Sequence, residues 1–301
     1  MARKKFYIGS DNWWRLRRLQ LSGLGDFLCN WWENITIKYT IELKELKRIF
    51  AFVHHRYLAA NIIEPQPQNM WITKFHLLPK TKIFTAYRKD DPECNQPICT
   101  ATIVFDTPEF GLPSDNIYHD KLEEFRKQGK KLVEFCSLAA LPNMQARNAY
   151  FPIFKILYKY TRFCGFTDII ISIQPKHAEF YKKILLFKCF EVRRYPRFRN
   201  VRAQMAHLDL RKAKENYKKI YEKFPKEFNL FQFFTSDLEI NLDFEKIYYE
   251  IINDIDFERL FRNYKIWQQL SEKEKNFILN TRRDYKKRGP KCLGPPNNFF
   301  C

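Results

Sequence analysis

The sequence predicts an α/β protein with a mixed central sheet, flanking helices and a helical C-terminal extension. Three observations carry this. Short β-branched or aromatic runs alternate with segments of helical period, in the order β-α-β-β-α-β-α-β-α-β. One run, TDIIISIQP, is a fully apolar strand. After about Leu210 the strand signals stop and only helical patterns such as KENYKKIYEKF and DFERLFRNYKIWQQLSEKEKNFI remain. At 301 residues, 45% hydrophobic and 17% aromatic, the chain is long and apolar enough to bury a sizeable core.

Residues 1–37 hold two tryptophan pairs, Trp13–Trp14 and Trp31–Trp32, around RLRRLQLSGLGDFL. Aromatics beside arginine suit a membrane interface, and equally a helix that packs its tryptophans on the main domain. KYTI reads as the first strand. The segment ELKELKRIFAFVHHRYLAANII follows, with apolar Leu43, Leu46, Ile49, Phe50, Val53 and Tyr57 at helical spacing. KTKIFTAYR and ICTATIVFDT are an expected antiparallel pair. HDKLEEFRKQG is a helix closed by Gly129, and KLVEFCSLAAL a strand. A long helix is expected from about Ala146 to Phe163, ending at Gly165. PKHAEFYKKIL reads as a helix, and FEVRRYPRF with AQMAHLDL as a final strand pair. The last stretch, RRDYKKRGPKCLGPPNNFFC, is basic and Pro-rich and is expected to be loosely ordered. The expected divisions are 1–37, 38–210 and 211–301.

Charge is the strongest bulk signal: 53 Lys plus Arg against 34 Asp plus Glu, a formal +19. A field of that sign favours acidic partners. No zinc-finger spacing, RRM signature or helix-turn-helix pattern accompanies it, so nucleic-acid binding rests on charge alone. Most of the 8 cysteines sit singly in apolar runs, as reduced buried thiols do; Cys94 and Cys99 lack the second pair that a zinc site needs. His54 and His55 match no H-E-x-x-H pattern, and no metal is expected. There is no signal-peptide pattern and no run of roughly 18 apolar residues. The expected place is the cytoplasm, with peripheral contact at the inner membrane face left open.

Several segments together resemble one family. LAANII resembles the end of "Y-L-x-x-G-Y-I", with Asn61 in place of Gly, and KFHLLPKTKIFTAY resembles "H-x-L-L-P-x-T-x-x-F". DTPEFGLPSDNIYHDKLEEFRKQGKKLVEFCSLAAL resembles "D-S-x-x-G-L-P-x-D-x-x-Y-x-x-E-L-x-x-L-R-x-x-G-R-x-L-x-E-x-S-x-L-A". IQPKHAEFYKKILLF resembles "x-N-P-R-H-x-x-F-Y-x-x-x-L-G-F", with Gln174 for Asn and Leu186 for Gly. The pattern, over about residues 38–210, is that of the bacterial FeeM-type N-acyl amino acid synthases, related to acyl-homoserine-lactone synthases and GNAT acetyltransferases. The resemblance implies a GNAT-like fold with a helical extension. The implied reaction moves an acyl group, long-chain in that family, from acyl carrier protein to an amino acid or related amine.

No Q/R-x-x-G-x-G/A loop stands between Leu141 and the next helix. That loop cradles the CoA pyrophosphate in ordinary acetyltransferases. Its absence favours acyl-phosphopantetheine on acidic carrier protein over acyl-CoA as cosubstrate, with no bound cofactor. By resemblance, two central strands splay apart around the pantetheine arm, and an N–H near Leu138 or Ala139 holds the carbonyl oxygen. Glu134, the lone acid in KLVEFCSLAAL, occupies the place of a general base; a structural ion-paired Glu is the alternative. Tyr181 corresponds to the acid that protonates the leaving thiolate, with Phe180 as a competitor for that position. Ser137 and His177 are candidates for pantetheine, and Lys155, Lys159 and Arg162 for the carrier-protein surface. Arg56 is the candidate for an acceptor carboxylate, which a guanidinium grips bidentately. Two rivals stay open: an acyl-CoA-dependent GNAT acetyltransferase, and a non-catalytic basic protein binding nucleic acid or membrane.

Overall fold

The computed structural model describes residues 8–262 and 264–288. Two helices come first. Helix α1 (Asp11–Leu21) is capped by Ser10, whose Oγ accepts the Trp13 amide, and Gly23 at φ 60° turns the chain into α2 (Leu24–Asn34). Strand β1 (Ile35–Tyr39) lies ahead of the expected KYTI segment, because Ile35 and Ile37 are the inward residues and pair with Arg88 and Ala86. Then follow α3 (Leu43–Ala59), β2 (Lys82–Arg88), β3 (Pro97–Phe105), α4 (Asp115–Lys127) and β4 (Leu132–Ala140).

The single helix expected over 146–163 is two. Helix α5 (Met144–Asn148) starts on the Asn143 side chain, which accepts the Ala146 amide, and α6 (Tyr150–Phe163) continues past Ala149. After β5 (Asp168–Ile173) come a 3₁₀ turn at Pro175–His177 and α7 (Ala178–Lys183). The hairpin β6 (Lys188–Tyr195) and β7 (Val201–Asp209) completes the sheet. The extension holds α8 (Leu210–Tyr221), α9 (Leu230–Thr235), α10 (Phe244–Tyr249), α11 (Asp254–Phe257), α12 (Lys265–Gln268) and α13 (Glu272–Arg288).

The sheet order is β1-β2-β3-β4-β5-β7-β6, antiparallel throughout except for the central β4–β5 pair. One face packs on α1, α2 and α5 to α10, the other on α3, α4 and α11 to α13. The chain changes face at Glu250. There its carbonyl accepts the Tyr39 hydroxyl at 3.0 Å and the buried Lys82 ammonium at 2.7 Å. Burial pulls the Lys82 pKa down to about 7.

Helix α13 runs on to Arg288, so the first part of RRDYKKRGPKCLGPPNNFFC is helical rather than loose. Arg282 anchors it: the guanidinium is buried, donates to the Ile252 carbonyl at 2.8 Å and sits 3.9 Å from the Phe257 ring centre. The rest of that stretch, with Cys292 and Cys301, lies outside the described residues, as do residues 1–7. Of the described cysteines Cys94, Cys99 and Cys164 are buried thiols, whereas Cys29 is exposed. Among the described residues no helix is long and apolar enough to cross a membrane.

Both departures from the family's glycines fall where the backbone is left-handed: Asn61 at φ 56° and Leu186 at φ 59°. Asparagine tolerates that conformation through its short polar side chain; leucine holds it at a cost of about 1–2 kcal/mol.

Trp31, fully buried, joins Leu19, Leu24 and Leu28 in the core that α6 also fills. The N-terminal tryptophans therefore divide their roles, with Trp31 inside and Trp13, Trp14 and Trp32 half-buried. Trp31→Ala should lower unfolding stability by about 3–5 kcal/mol, read from denaturant titration. A loss below about 1 kcal/mol would mean that α2 is only loosely attached.

Candidate active site

Strands β4 and β5 pair in parallel only over Leu132–Asp168, Val133–Ile169 and Glu134–Ile170. Beyond Glu134 the β4 register with β3 shifts between Thr100 and Thr102, and Ser137 takes φ 50°. This is a β-bulge, which bends its strand. Strand β5 meanwhile stays on β7 as far as Ile173. The two strands part, leaving a gap between residues 135–140 and 171–173. The bulge also resets the alternation: Leu138 packs with the α6 side of the sheet and Ala139 with the α3 side. The sequence-predicted residues Ser137, Leu138 and Ala139 thus form the bend that opens the gap.

Glu134 is the last paired residue before the gap and is only 2% exposed. Its side chain faces α4. Ser114, the residue before α4, leaves that helix uncapped and turns to the carboxylate instead. Its N–H donates to Oε2 and its hydroxyl to Oε1, each at 2.8 Å. Ser114 Oγ also lies 2.7 Å from Ser172 Oγ on β5. No lysine or arginine pairs with Glu134 among the described residues. Desolvation is the dominant effect on it, opposed by the two Ser114 bonds, and its pKa is pushed up to about 8.

Aromatic side chains roof this side of the gap. Burial raises the Tyr57 pKa, with Cys136, Glu134 and Tyr195 as its charged-form neighbours. The Tyr57 ring is 5.8 Å from Trp71, Trp71 is 5.4 Å from Phe198, and Phe198 is 4.5 Å from Tyr195. Tyr195 donates its hydroxyl to the Pro113 carbonyl at 2.7 Å, which ties the β6–β7 hairpin to the loop holding Ser114. Arg56 reaches the same end of β4, its Nε donating to the Ala140 carbonyl at 2.9 Å. Its terminal nitrogens carry no ion pair among the described residues. His54, by contrast, is a buried core group that accepts the Gln66 amide at 3.0 Å, and burial lowers its pKa.

On the opposite side of the sheet, Tyr181 and Tyr150 share a hydrogen bond of 3.2 Å. One proton lies between them, so the other hydroxyl's proton is uncommitted. Burial holds both phenols protonated at neutral pH, Tyr181 with a pKa of about 12. Phe180 instead packs edge-on to Phe151 at 5.8 Å and has no hydroxyl to offer. His177 is exposed at the turn that leaves β5, and its side chain does not cap α7.

Of the carrier-protein surface expected on α6, Lys155 is corrected by the fold. Lys155 is fully buried, donating to Ser236 Oγ, the Asp237 carbonyl and Glu239 Oε1 at 2.7–2.9 Å. Lys159 is half-buried beside Asp237 and Glu239, and Arg162 donates to the Leu210 carbonyl. Residues 236–239, after α9, cover Lys155, a long-range contact that helical spacing does not reveal, whereas Arg162 stays exposed. Exposed cations stand also on the elements that follow the two gap strands: Arg147 on α5, Lys176 on the 3₁₀ turn and Lys182 on α7. None makes an ion pair among the described residues. Helix α1 lies beside them, with Arg15 bonded to the Lys183 carbonyl and Ser22 to Asn148.

Tyr57 stands with Arg56 on the helix expected to face the acceptor, whereas Ser114, Ser172, Tyr150 and Tyr195 were not selected by sequence reasoning. Only Ser114 carried a local signal, at a helix start, and that signal pointed to capping rather than to Glu134.

A mixed seven-stranded sheet that opens between its two parallel strands, with a buried carboxylate at the fork, is the fold of the GNAT-like N-acyltransferases. The family model for N-acyl amino acid synthase FeeM matches residues 48–209, and the chain belongs to that family. It is an N-acyltransferase. FeeM, an N-acyl amino acid synthase from uncultured soil microbes, has a solved structure that is 23% identical. The match covers 60% of this chain and 93% of that one at a TM-score of 0.51. More distant are MesI, a CoA-dependent acyl-homoserine lactone synthase (13% identity, 62% and 95% coverage, TM-score 0.43), and the AHL synthase LasI (10%, 58% and 90%, 0.42). No curated protein sequence matches the chain.

Proposed function

We propose that the protein acylates the amine of an amino acid or related small amine, taking the acyl group from a carrier-protein thioester. The observation that carries this reading is the buried Glu134 at the fork of β4 and β5, a carboxylate without a basic partner among the described residues and with a pKa of about 8. Such a group accepts a proton from an ammonium or attacking amine near neutral pH.

In this reading the acyl-phosphopantetheine arm enters the gap, and the amine approaches from the side of α3 and α4. Direct attack forms the C–N bond and a tetrahedral oxyanion, held by an N–H of the bulge near Leu138 or Ala139. Collapse breaks the C–S bond. Tyr181 or its partner Tyr150 returns a proton to the thiolate, both being protonated at neutral pH. Arg56 binds the acceptor carboxylate, with its Nε already fixed on Ala140 and its terminal nitrogens without an ion pair among the described residues.

Two features support a carrier protein over CoA as donor. Asn143 caps α5 with its own side chain, so the chain passes from β4 into a short helix without a glycine-rich phosphate cradle. Arg147, Lys176 and Lys182 give the elements that follow the two gap strands a positive charge suited to an acidic protein. The peripheral position of the protein in a cell is part of the same proposal only through this charge.

The test is incubation with palmitoyl carrier protein or palmitoyl-CoA, each with a pool of amino acids, and mass spectrometry of the products. An amide made from the carrier protein with a kcat/KM at least about tenfold above that from CoA is expected. The reverse preference overturns the donor assignment, and thiol release without any amide overturns the acceptor class.

A further inference from the structure

We propose that Ser172 and Ser114 form a two-hydroxyl proton relay that carries the acceptor's proton from the open gap to the buried Glu134. The inference rests on the acyl-transfer reading above and concerns how its base is reached.

Glu134 cannot meet an amine directly. The carboxylate is 2% exposed, and both oxygens are engaged by Ser114, Oε2 by its N–H and Oε1 by its hydroxyl. Ser114 is itself fully buried. Ser172 is half-buried and stands two residues beyond Ile170, on the same face of the sheet as Glu134, where β5 has already left β4. It is therefore the hydroxyl on the β5 side of the gap that joins the gap to Ser114.

Counting protons gives the chain its direction. A serine hydroxyl has one proton to donate. While Glu134 is ionised, the Ser114 proton goes to Oε1. The 2.7 Å contact between Ser114 and Ser172 must then be donated by Ser172. That leaves the Ser172 oxygen lone pairs facing the gap, ready to accept from N–H. When the amine loses its proton to Ser172 Oγ, the Ser172 proton passes to Ser114 Oγ and the Ser114 proton to Glu134 Oε1. One N–H bond breaks, one O–H bond forms on Glu134, and both serines end neutral with their hydrogen bonds reversed. Ser114 contributes through Glu134 and Ser172 and is a positioning residue; Ser172 is the group that touches the amine. The raised pKa of Glu134 suits the terminus of such a chain, because the protonated state is neutral and stable in the buried site.

The experiment compares the intact protein with Ser172→Ala and Ser172→Thr. Turnover is followed with palmitoyl carrier protein and amino acids in H₂O–D₂O mixtures, and Glu134 is titrated through its ¹³C carboxyl resonance. In S172A, kcat should fall about 10- to 100-fold with KM within about threefold. The multi-proton curvature of the isotope dependence should disappear, and Glu134 should titrate at a higher pH because its bonding chain has lost a donor. S172T, which keeps a hydroxyl, should restore most of the rate. A merely structural serine would leave the isotope curvature and the Glu134 titration unchanged, and that result overturns the relay whatever the donor proves to be. An S172T variant as slow as S172A, with its fold intact by circular dichroism, overturns it as well. Absence of turnover by the unmodified protein with every thioester overturns instead the acyl-transfer role on which the relay rests.

Discussion

Glu134→Gln is expected to lower kcat by about 10²- to 10⁴-fold, the usual contribution of a positioned general base, while KM for the acyl donor changes little. Glutamine keeps an oxygen to accept from Ser114 but cannot take up a proton. The unmodified enzyme should gain rate as pH rises through about 8, where Glu134 ionises, and the variant should lack that ascending limb. Stability should move the other way. The folded carboxyl holds its proton more tightly than the unfolded chain does, with a pKa of about 8 against an ordinary 4.5. Between these values the folded state binds more protons, so stability falls as pH rises. The uncharged variant escapes that fall: relative to the unmodified protein it should gain stability from pH 5 to pH 9, by at most about 5 kcal/mol at 1.36 kcal/mol per pKa unit. Melting curves at the two pH values, beside the pH–rate profile, check both parts. A variant that loses stability equally at both pH values and keeps a tenth of its activity would assign Glu134 a structural role.

Lys155→Ala is the second large effect, and it separates packing from recognition. The ammonium is fully buried, with three acceptors supplied by Ser236, Asp237 and Glu239, and it lies 5.0 Å from the Phe233 ring centre. Truncating so long a buried side chain costs about 2–5 kcal/mol, chiefly through the packing of its stem, because Ser236, Asp237 and Glu239 themselves reach solvent. A fall in melting temperature on the order of 10 °C is expected, with KM for palmitoyl carrier protein unchanged in the fraction that stays folded. Unchanged melting together with a raised carrier-protein KM would return Lys155 to the docking surface.

Much of the strand and helix order was legible locally. The β-branched runs, the helical spacing of Leu46, Ile49, Phe50 and Val53, and the punctuation by Gly129 and Gly165 all report a chain's immediate geometry, and the folded elements follow them. At φ 72° and 74° these two glycines sit where a side chain would strain the backbone. The boundary cases went otherwise. Helix α13 extends through Arg282 because a buried ring and a carbonyl from far along the chain receive its guanidinium. The region 144–163 starts earlier than the spacing suggests because Asn143 caps it, and it divides at Ala149.

The sequence by itself determined the fold class, the family and the identity of the acid to inspect, since Glu134 is the lone carboxylate in a strand otherwise destined for the core. Only the tertiary structure decided what that acid touches. Ser114 and Ser172 lie 58 residues apart in sequence and meet because α4 starts over the fork where β5 leaves β4. Lys155 looked like one cation of a solvated stripe, and it became buried because the residues after α9 fold back over α6. The physical reason is the same in both cases. Periodicity records which face of an element is apolar, whereas hydrogen bonds and ion pairs depend on which distant segment comes to cover that face.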